Sequence, residues 1–210
     1  YTSLCGTSMA SPTVCGLGAL LLQDFRQQYP GAPDFRNSTL KVLLAHTAED
    51  LGNPGPDYQF GYGSVRVVPA VDLLRAGYFL EAELDHGQVY SVVVIVQPGD
   101  DQLKVTIAWD DPPGTPNVNP VLVNDLDVIV YDAANQPYYA WTLNPASPAS
   151  PAVRTEPDRV NNIEQVVIDN PAPGAYRVEV RGHNVVEGPQ VFSLAATPEL
   201  IDCSSQGLAS

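Results

Sequence analysis

Apolar residues recur at three- and four-residue steps through the first third of the chain and at every second residue through the rest. Over residues 9–28, Val14, Leu17, Leu20, Leu21 and Phe25 keep the helical step. Leu17 and the run Leu20, Leu21, Leu22 leave little polar surface around the middle, which predicts a helix buried on most sides. Gly16 and Gly18 each cost roughly 1 kcal/mol relative to Ala in such a helix, so a close neighbour is expected there. Tyr29-Pro30-Gly31 ends it. A second helix is predicted over 38–48, with Leu40, Leu43, Leu44 and Thr47 inward and Asn37 or Ser38 as N-cap. Gly61-Tyr62-Gly63 turns into a short predicted strand over 64–68. Pro69 then opens a last helix to Ala76 from its first position.

From Phe79 the period becomes two. Leu103, Val105, Ile107 and Trp109 alternate with Lys104, Thr106 and Ala108; Leu126, Val128 and Val130 with Asp127, Ile129 and Tyr131; Tyr176, Val178 and Val180 with Arg177, Glu179 and Arg181. Further strands are predicted over 89–96, 138–141, 164–168 and 190–195, separated by turn clusters such as Pro98-Gly99-Asp100. Seven or eight short strands without helices between them predict an antiparallel sandwich or jelly roll. The organisation expected is therefore an α/β segment over 1–78, an all-β antiparallel sandwich or jelly-roll domain over 79–198, and a tail over 199–210.

The 210 residues, 44% hydrophobic and 16% charged, describe a chain able to bury a sizeable core. A net charge of −14 argues against a nucleic-acid partner, whose phosphates need a basic surface. The same charge makes clustered carboxylates available to a hard cation. No apolar run approaches the roughly 18 residues of a membrane span, so no membrane is expected as partner. Cys5, Cys15 and Cys203 lack metal-site spacing; a Cys5–Cys15 bridge and three free thiols both remain open. Tyr1 stands directly before a motif, without initiator Met or signal peptide, as if the chain were cut from something longer.

That motif is Gly6-Thr7-Ser8-Met9-Ala10-Ser11-Pro12. A serine on a glycine-led turn at the mouth of a helix suits a nucleophile, because the first helical N–H groups have no internal partners and stabilise a developing oxyanion. Gly6 lets a substrate approach the backbone. A serine in that place is equally suited to an ordinary N-cap. The α/β-hydrolase elbow fits poorly, since G-x-S-x-G needs glycine where Ala10 stands.

The whole string followed by a helix resembles the nucleophile segment of subtilisin-like serine proteases, the subtilases. The resemblance continues through Leu40-Lys41-Val42-Leu43-Leu44, Thr47-Ala48-Glu49-Asp50, Gly61-Tyr62-Gly63-Ser64-Val65 and Pro69-Ala70-Val71. Leu122-Val123-Asn124-Asp125-Leu126-Asp127, Asn161-Asn162-Ile163-Glu164 and Gly188-Pro189-Gln190-Val191-Phe192-Ser193-Leu194 resemble the β-barrel domain appended to a branch of bacterial alkaline subtilases. It implies the end of a secreted endopeptidase's catalytic domain, with Ser8 the nucleophile and the backbone around Gly6, Thr7 and Ser8 forming the oxyanion site. It also implies that Asp, His and an oxyanion Asn precede the serine, as partners in a missing N-terminal catalytic segment. Only seven residues precede Ser8 and none is Asp, His or Asn, so these residues alone are expected to be catalytically silent. His46, His86 and His183 follow the serine, the wrong order for the base, and read as structural. Cut off from an upstream sheet, residues 1–78 are expected to be unstable alone, whereas the β domain could fold independently.

Catalysis by this chemistry needs no cofactor, and protein or peptide is the implied substrate. The acids Asp110, Asp111, Asp125, Asp127 and Asp158 lie in or beside turns, where carboxylates either converge on calcium or simply face water. The resemblance favours structural calcium, with Asp125, Asp127 and Asp158 as candidate ligands. The rival reading is a non-catalytic β-sandwich module that binds protein or carbohydrate, or stabilises its neighbour. Tyr138, Tyr139 and Trp141 would be its aromatic platform.

Overall fold

The structure, a computed structural model, describes residues 5–118 and 121–202. Cys203 and the rest of the expected tail beyond Asp202 lie outside the described residues. Three helices come first: α1 (Thr7–Gln28), α2 (Asn37–Thr47) and α3 (Val67–Ala76). Nine strands follow among the described residues: β1 (Phe79–Leu84), β2 (Val89–Val96), β3 (Gln102–Trp109), β4 (Asp125–Tyr131), β5 (Pro137–Tyr139), β6 (Ile163–Asp169), β7 (Gly174–Asn184), β8 (Gln190–Thr197) and β9 (Glu199–Ile201). The chain is thus mostly β-sheet with few helices.

The strands form two antiparallel sheets, ordered β1-β8-β3-β6 and β5-β4-β7-β2-β9. Period-two alternation fills the space between them. Leu103, Val105, Ile107 and Trp109 from one sheet share a core with Val92, Val94, Leu126, Val128, Val130, Val178 and Val180 from the other. Trp109 is fully buried and donates its indole N–H to the Asn124 carbonyl at 3.0 Å.

The outer face of the four-stranded sheet is also covered. Thr106, Ala108, Ser193 and Ala195 are fully buried there, and Ala108 and Ala195 belong to a second core with Leu21, Phe25, Val42, Leu43, Ala70, Leu73 and Leu74. Polar groups lock α2 to that face. Ser38 and Thr39 hydroxyls each lie 2.8 Å from the Ser193 hydroxyl, and Thr39 also donates to Glu81 at 2.5 Å. The His46 ring bonds the hydroxyls of Thr106 (3.0 Å) and Thr197 (3.1 Å). The outer face of this sheet, part apolar and part hydroxylated, is thus buried beneath the helices.

Several boundaries differ from those predicted. The chain enters α1 at Thr7, because Gly6 takes φ 137° and its carbonyl accepts from Met9 N–H (3.0 Å) and Ala10 N–H (3.2 Å). In α2, Asn37 is the first helical residue and Arg36 the cap, so neither Asn37 nor Ser38 caps it. Pro69 is the third residue of α3, still within the first turn where its missing N–H costs nothing. The strand expected over 64–68 reduces to a single bridge between Glu49 and Ser64. There Gly63 has φ +108°, and a Cβ on it would lie 2.0 Å from the Glu49 carbonyl oxygen. Phe79–Leu84 and Glu199–Ile201 are strands beyond those the periodicity predicts; β9 pairs with Val93–Ile95 of β2, so part of the expected tail is sheet.

The largest correction concerns α1. Residues 7–16 are exposed, and packing begins at Leu17 and Gly18, where a Cβ on Gly18 would meet Leu40 at 3.2 Å. Met9, Val14 and Leu20 face solvent, whereas Leu21 and Phe25 are buried and Asp24 pairs with Arg75 of α3 at 2.6 Å. The apolar girdle read from the sequence is real, but only its C-terminal half has a partner among the described residues.

Candidate functional site

Ser8 is the second residue of α1 and is exposed. It is not the N-cap: Gly6 holds that place, and no side chain caps the helix. Met9 and Ala10 N–H are taken by the Gly6 carbonyl, so any N–H offered to an incoming anion or carbonyl oxygen lies ahead of them, at the very start of the turn. Pro12 lies four residues on within the same helix, so the Ser8 carbonyl has no i+4 donor and the first turn is loosely held. Gly6 has no atom within 4 Å of where a Cβ would stand, which leaves the approach to the turn clear. The structure thus places Gly6, Thr7 and Ser8 together on one exposed turn.

Among the described residues no imidazole hydrogen-bonds Ser8. His46 is 3% exposed, and its ring has both nitrogens engaged; burial, aided by the Lys104 charge, pushes its pKa down from 6.5 to about 3. The His86 Nδ1 accepts from Val185 N–H at 3.3 Å, at the turn between β1 and β2. The His183 Nδ1 lies 3.9 Å from Asp127 on β7. Of the three, only His46 is buried.

A second constellation lies where β4 meets β6. Strand β5 pairs only with Ile129–Tyr131 of β4, so the same edge is open at Val128. Glu164, the second residue of β6, fills the gap by accepting the Val128 N–H at 2.8 Å. One carboxylate oxygen from each of Asp125, Asp127 and Glu164 lies within 4.8 Å of the others. Glu164 is 1% exposed, and its Oε1 has no hydrogen-bond partner. Its pKa is raised well above the ordinary value, first by burial and then by the nearby charges of Asp127, Asp158 and Asp125. Burial likewise raises Asp125, against the opposing pull of Arg159.

The remaining acids are committed elsewhere. Asp158 is buried, but its carboxylate holds its own turn, accepting from Val160 N–H at 2.8 Å and from the Asn161 amide at 2.6 Å. Glu164, not Asp158, is the third carboxylate of the cluster. Asp110 pairs with Lys41 at 2.7 Å, and Asp111 accepts from Val123 and Asn124 N–H, both at 2.8 Å. An orphaned buried carboxylate oxygen among all-oxygen donors is the chemistry of a hard-cation site, and these residues fit calcium in donor type. Glu164 was legible in principle, since period two puts it on the same face as Val166 and Ile168, an acid on an apolar face.

Tyr138, Tyr139 and Trp141 are all half-buried, and Tyr139 borders a groove with Arg159 and His183. The Trp141 ring lies under the Arg154 guanidinium at 4.2 Å, and a Cβ on Gly55 would sit 2.6 Å from it. Tyr138 packs against the core. Cys5 and Cys15 are both free and exposed, so the bridge between them is absent here.

Residues 1–63 match the family model Peptidase_S8, described as the subtilase family. The first 63 residues are thus subtilase-related. It is 22% identical over 207 residues to the serine protease/ABC transporter B family protein tagA of Dictyostelium discoideum, covering 90% of this chain and 12% of that protein. It is 36% identical over 72 residues to an extracellular serine protease of Serratia marcescens, covering 34% of this chain and 6% of that protein. The matched part of the chain therefore spans only 12% and 6% of these two relatives' lengths. The Clostridium perfringens CspB protease structure aligns at 11% identity over 58% of this chain and 26% of that one, with a TM-score of 0.34, a likeness too slight to argue from. The similarity to serine peptidases at 30% identity or more is confined to part of the chain, and no described helix is long and apolar enough to cross a membrane.

Proposed function

We propose that this chain carries the nucleophile of a secreted subtilisin-like serine endopeptidase, and that Ser8 is that nucleophile. The observation that carries the reading is Ser8 on an uncapped, solvent-facing helix N-terminus behind Gly6, inside the segment that matches the subtilase family. The Ser8 Oγ would attack a peptide carbonyl carbon while an imidazole from a segment N-terminal to Tyr1 takes its proton. The backbone N–H groups of this turn would hold the oxyanion. The C–N bond then breaks, the amine leaves with that proton, and water hydrolyses the acyl-enzyme to regenerate the serine. The same upstream segment would cover the exposed first half of α1, where Met9, Val14 and Leu20 stand in water. An extracellular serine protease among the relatives favours a secreted protein acting on protein or peptide substrates.

We read the β unit as a jelly roll that stabilises the peptidase. The strand orders β1-β8-β3-β6 and β2-β7-β4-β5 support this, because they are what two interlocked Greek keys produce. Asp125, Asp127 and Glu164 would hold a structural calcium, which contributes charge neutralisation at the junction of β4 and β6 and no chemistry.

Fluorophosphonate labelling tests the nucleophile, applied to this chain and to one extended upstream. Labelling at Ser8 only in the extended chain, lost in Ser8→Ala, is expected. Labelling in neither would make Ser8 an ordinary helix residue; labelling of the short chain would show that it needs no upstream base.

A further inference from the structure

A single nitrogen, Nη1 of Arg159, sits where four oxygens converge. It lies 3.4 and 3.3 Å from Asp125 Oδ1 and Oδ2, in contact with Asp127 Oδ1, and 3.3 Å from the Asp158 carbonyl. A guanidinium NH2 group has two hydrogens and cannot donate to all four. The Glu164 carboxylate has an oxygen within 4.8 Å of Asp125 and Asp127 oxygens, and its Oε1 is buried without a partner. Carboxylate and carbonyl oxygens around one centre, with an unsatisfied oxygen left over, match a spherical cation that takes six to eight oxygens better than they match a planar donor.

We propose that Arg159 is a tethered stand-in for a divalent cation, and that calcium binds this chain by displacing the Arg159 side chain from between Asp125 and Asp127. This rests on the calcium reading above and adds its control. Two states of one loop share the site: guanidinium in, with Glu164 Oε1 unpaired, or cation in, with Arg159 released. Release is sterically open, because the Arg159 side chain is 40% exposed while Asp127 is 5% exposed. Arg159 also borders an open groove with Tyr131, Tyr139, Arg181 and His183, into which the freed guanidinium can move. The Asp158 carboxylate already fixes the following turn through Val160 and Asn161, so the exchange moves a side chain and leaves the backbone in place.

Calorimetric calcium titration of the chain, its R159Q variant and the R159Q/E164Q double variant tests this. Breaking one charge-assisted contact set corresponds to roughly tenfold or more in affinity, so R159Q is expected to bind calcium at least about tenfold more tightly than the unaltered chain. Without calcium R159Q should melt at a lower temperature, recovering when calcium is added, and E164Q in that background should remove the gain. Equal affinity with and without Arg159 would overturn the displacement and leave the calcium site standing. No binding to either chain would overturn both. Should R159Q fold only poorly, recovery of its melt by calcium supports displacement, and no recovery refutes it.

Discussion

Replacing His46 by Gln should flatten the acid side of the stability profile. The imidazole is 3% exposed between α2 and the outer face of β3 and β8, with Thr106 and Thr197 hydroxyls at 3.0 and 3.1 Å. Burial first, and the Lys104 charge second, bring its pKa from 6.5 to about 3. The folded state keeps the ring neutral where the unfolded chain protonates it, so folding loses stability as pH falls below 6.5, and the loss continues to about 3. At about pH 4.5 the unfolded chain gains about two pH units of protonation free energy, or about 2–3 kcal/mol at ~1.4 kcal/mol per unit. Gln retains a donor and an acceptor for the two threonines but cannot titrate. Urea unfolding at about pH 8 and about pH 4.5 should show the unaltered chain losing about 2–3 kcal/mol more than H46Q between the two. Comparing pH differences cancels both the intrinsic cost of the substitution and the opposite contribution of Glu164, whose raised pKa favours the folded state as pH falls. Equal losses in the two proteins would mean that His46 titrates as an exposed histidine does, and would sink the claim that the interface between α2 and the sheet is closed.

Gly63→Ala should destabilise by at least about 2 kcal/mol in thermal or urea melts, since the position combines a strained φ with a backbone clash; a loss under about 0.5 kcal/mol would contradict the turn geometry. Ser193→Ala removes the shared hydroxyl that Ser38 and Thr39 bond and should cost about 1–3 kcal/mol in the same assay, whereas an unchanged midpoint would mean water replaces it. Trp109→Phe strands the Asn124 carbonyl and leaves a void in the core, so a loss of about 2 kcal/mol or more is expected, against little change if the indole N–H is idle.

How far the sequence was legible depends on whether one neighbour along the chain decides the outcome. Strand β3 was readable because Leu103, Val105, Ile107 and Trp109 repeat the pleat, and the structure keeps that face inward. Its other face was not, because Thr106 and Ala108 look like surface residues until α2 is laid on them. The Gly6-Thr7-Ser8 turn was legible from its glycine. The fate of α1 was not, since an apolar helix face says that it wants a partner and not whether one is present.

The acid cluster divides the same way. Asp125 and Asp127 were conspicuous beside a turn, and Asp158 seemed their companion, yet Asp158 spends its carboxylate on the turn that follows it. Glu164 joins them only because β5 stops short along β4 and leaves the Val128 N–H to be taken from across the sandwich. What the sequence determined by itself was local: the helical and pleated periods, the glycine turns, and the seven-residue string around Ser8. What the tertiary structure alone decided was which side chains from distant strands share one pocket of low dielectric. A carboxylate's protonation, its partner and its candidate cation depend on charges that arrive from other parts of the chain, and spacing along the sequence does not encode those distances.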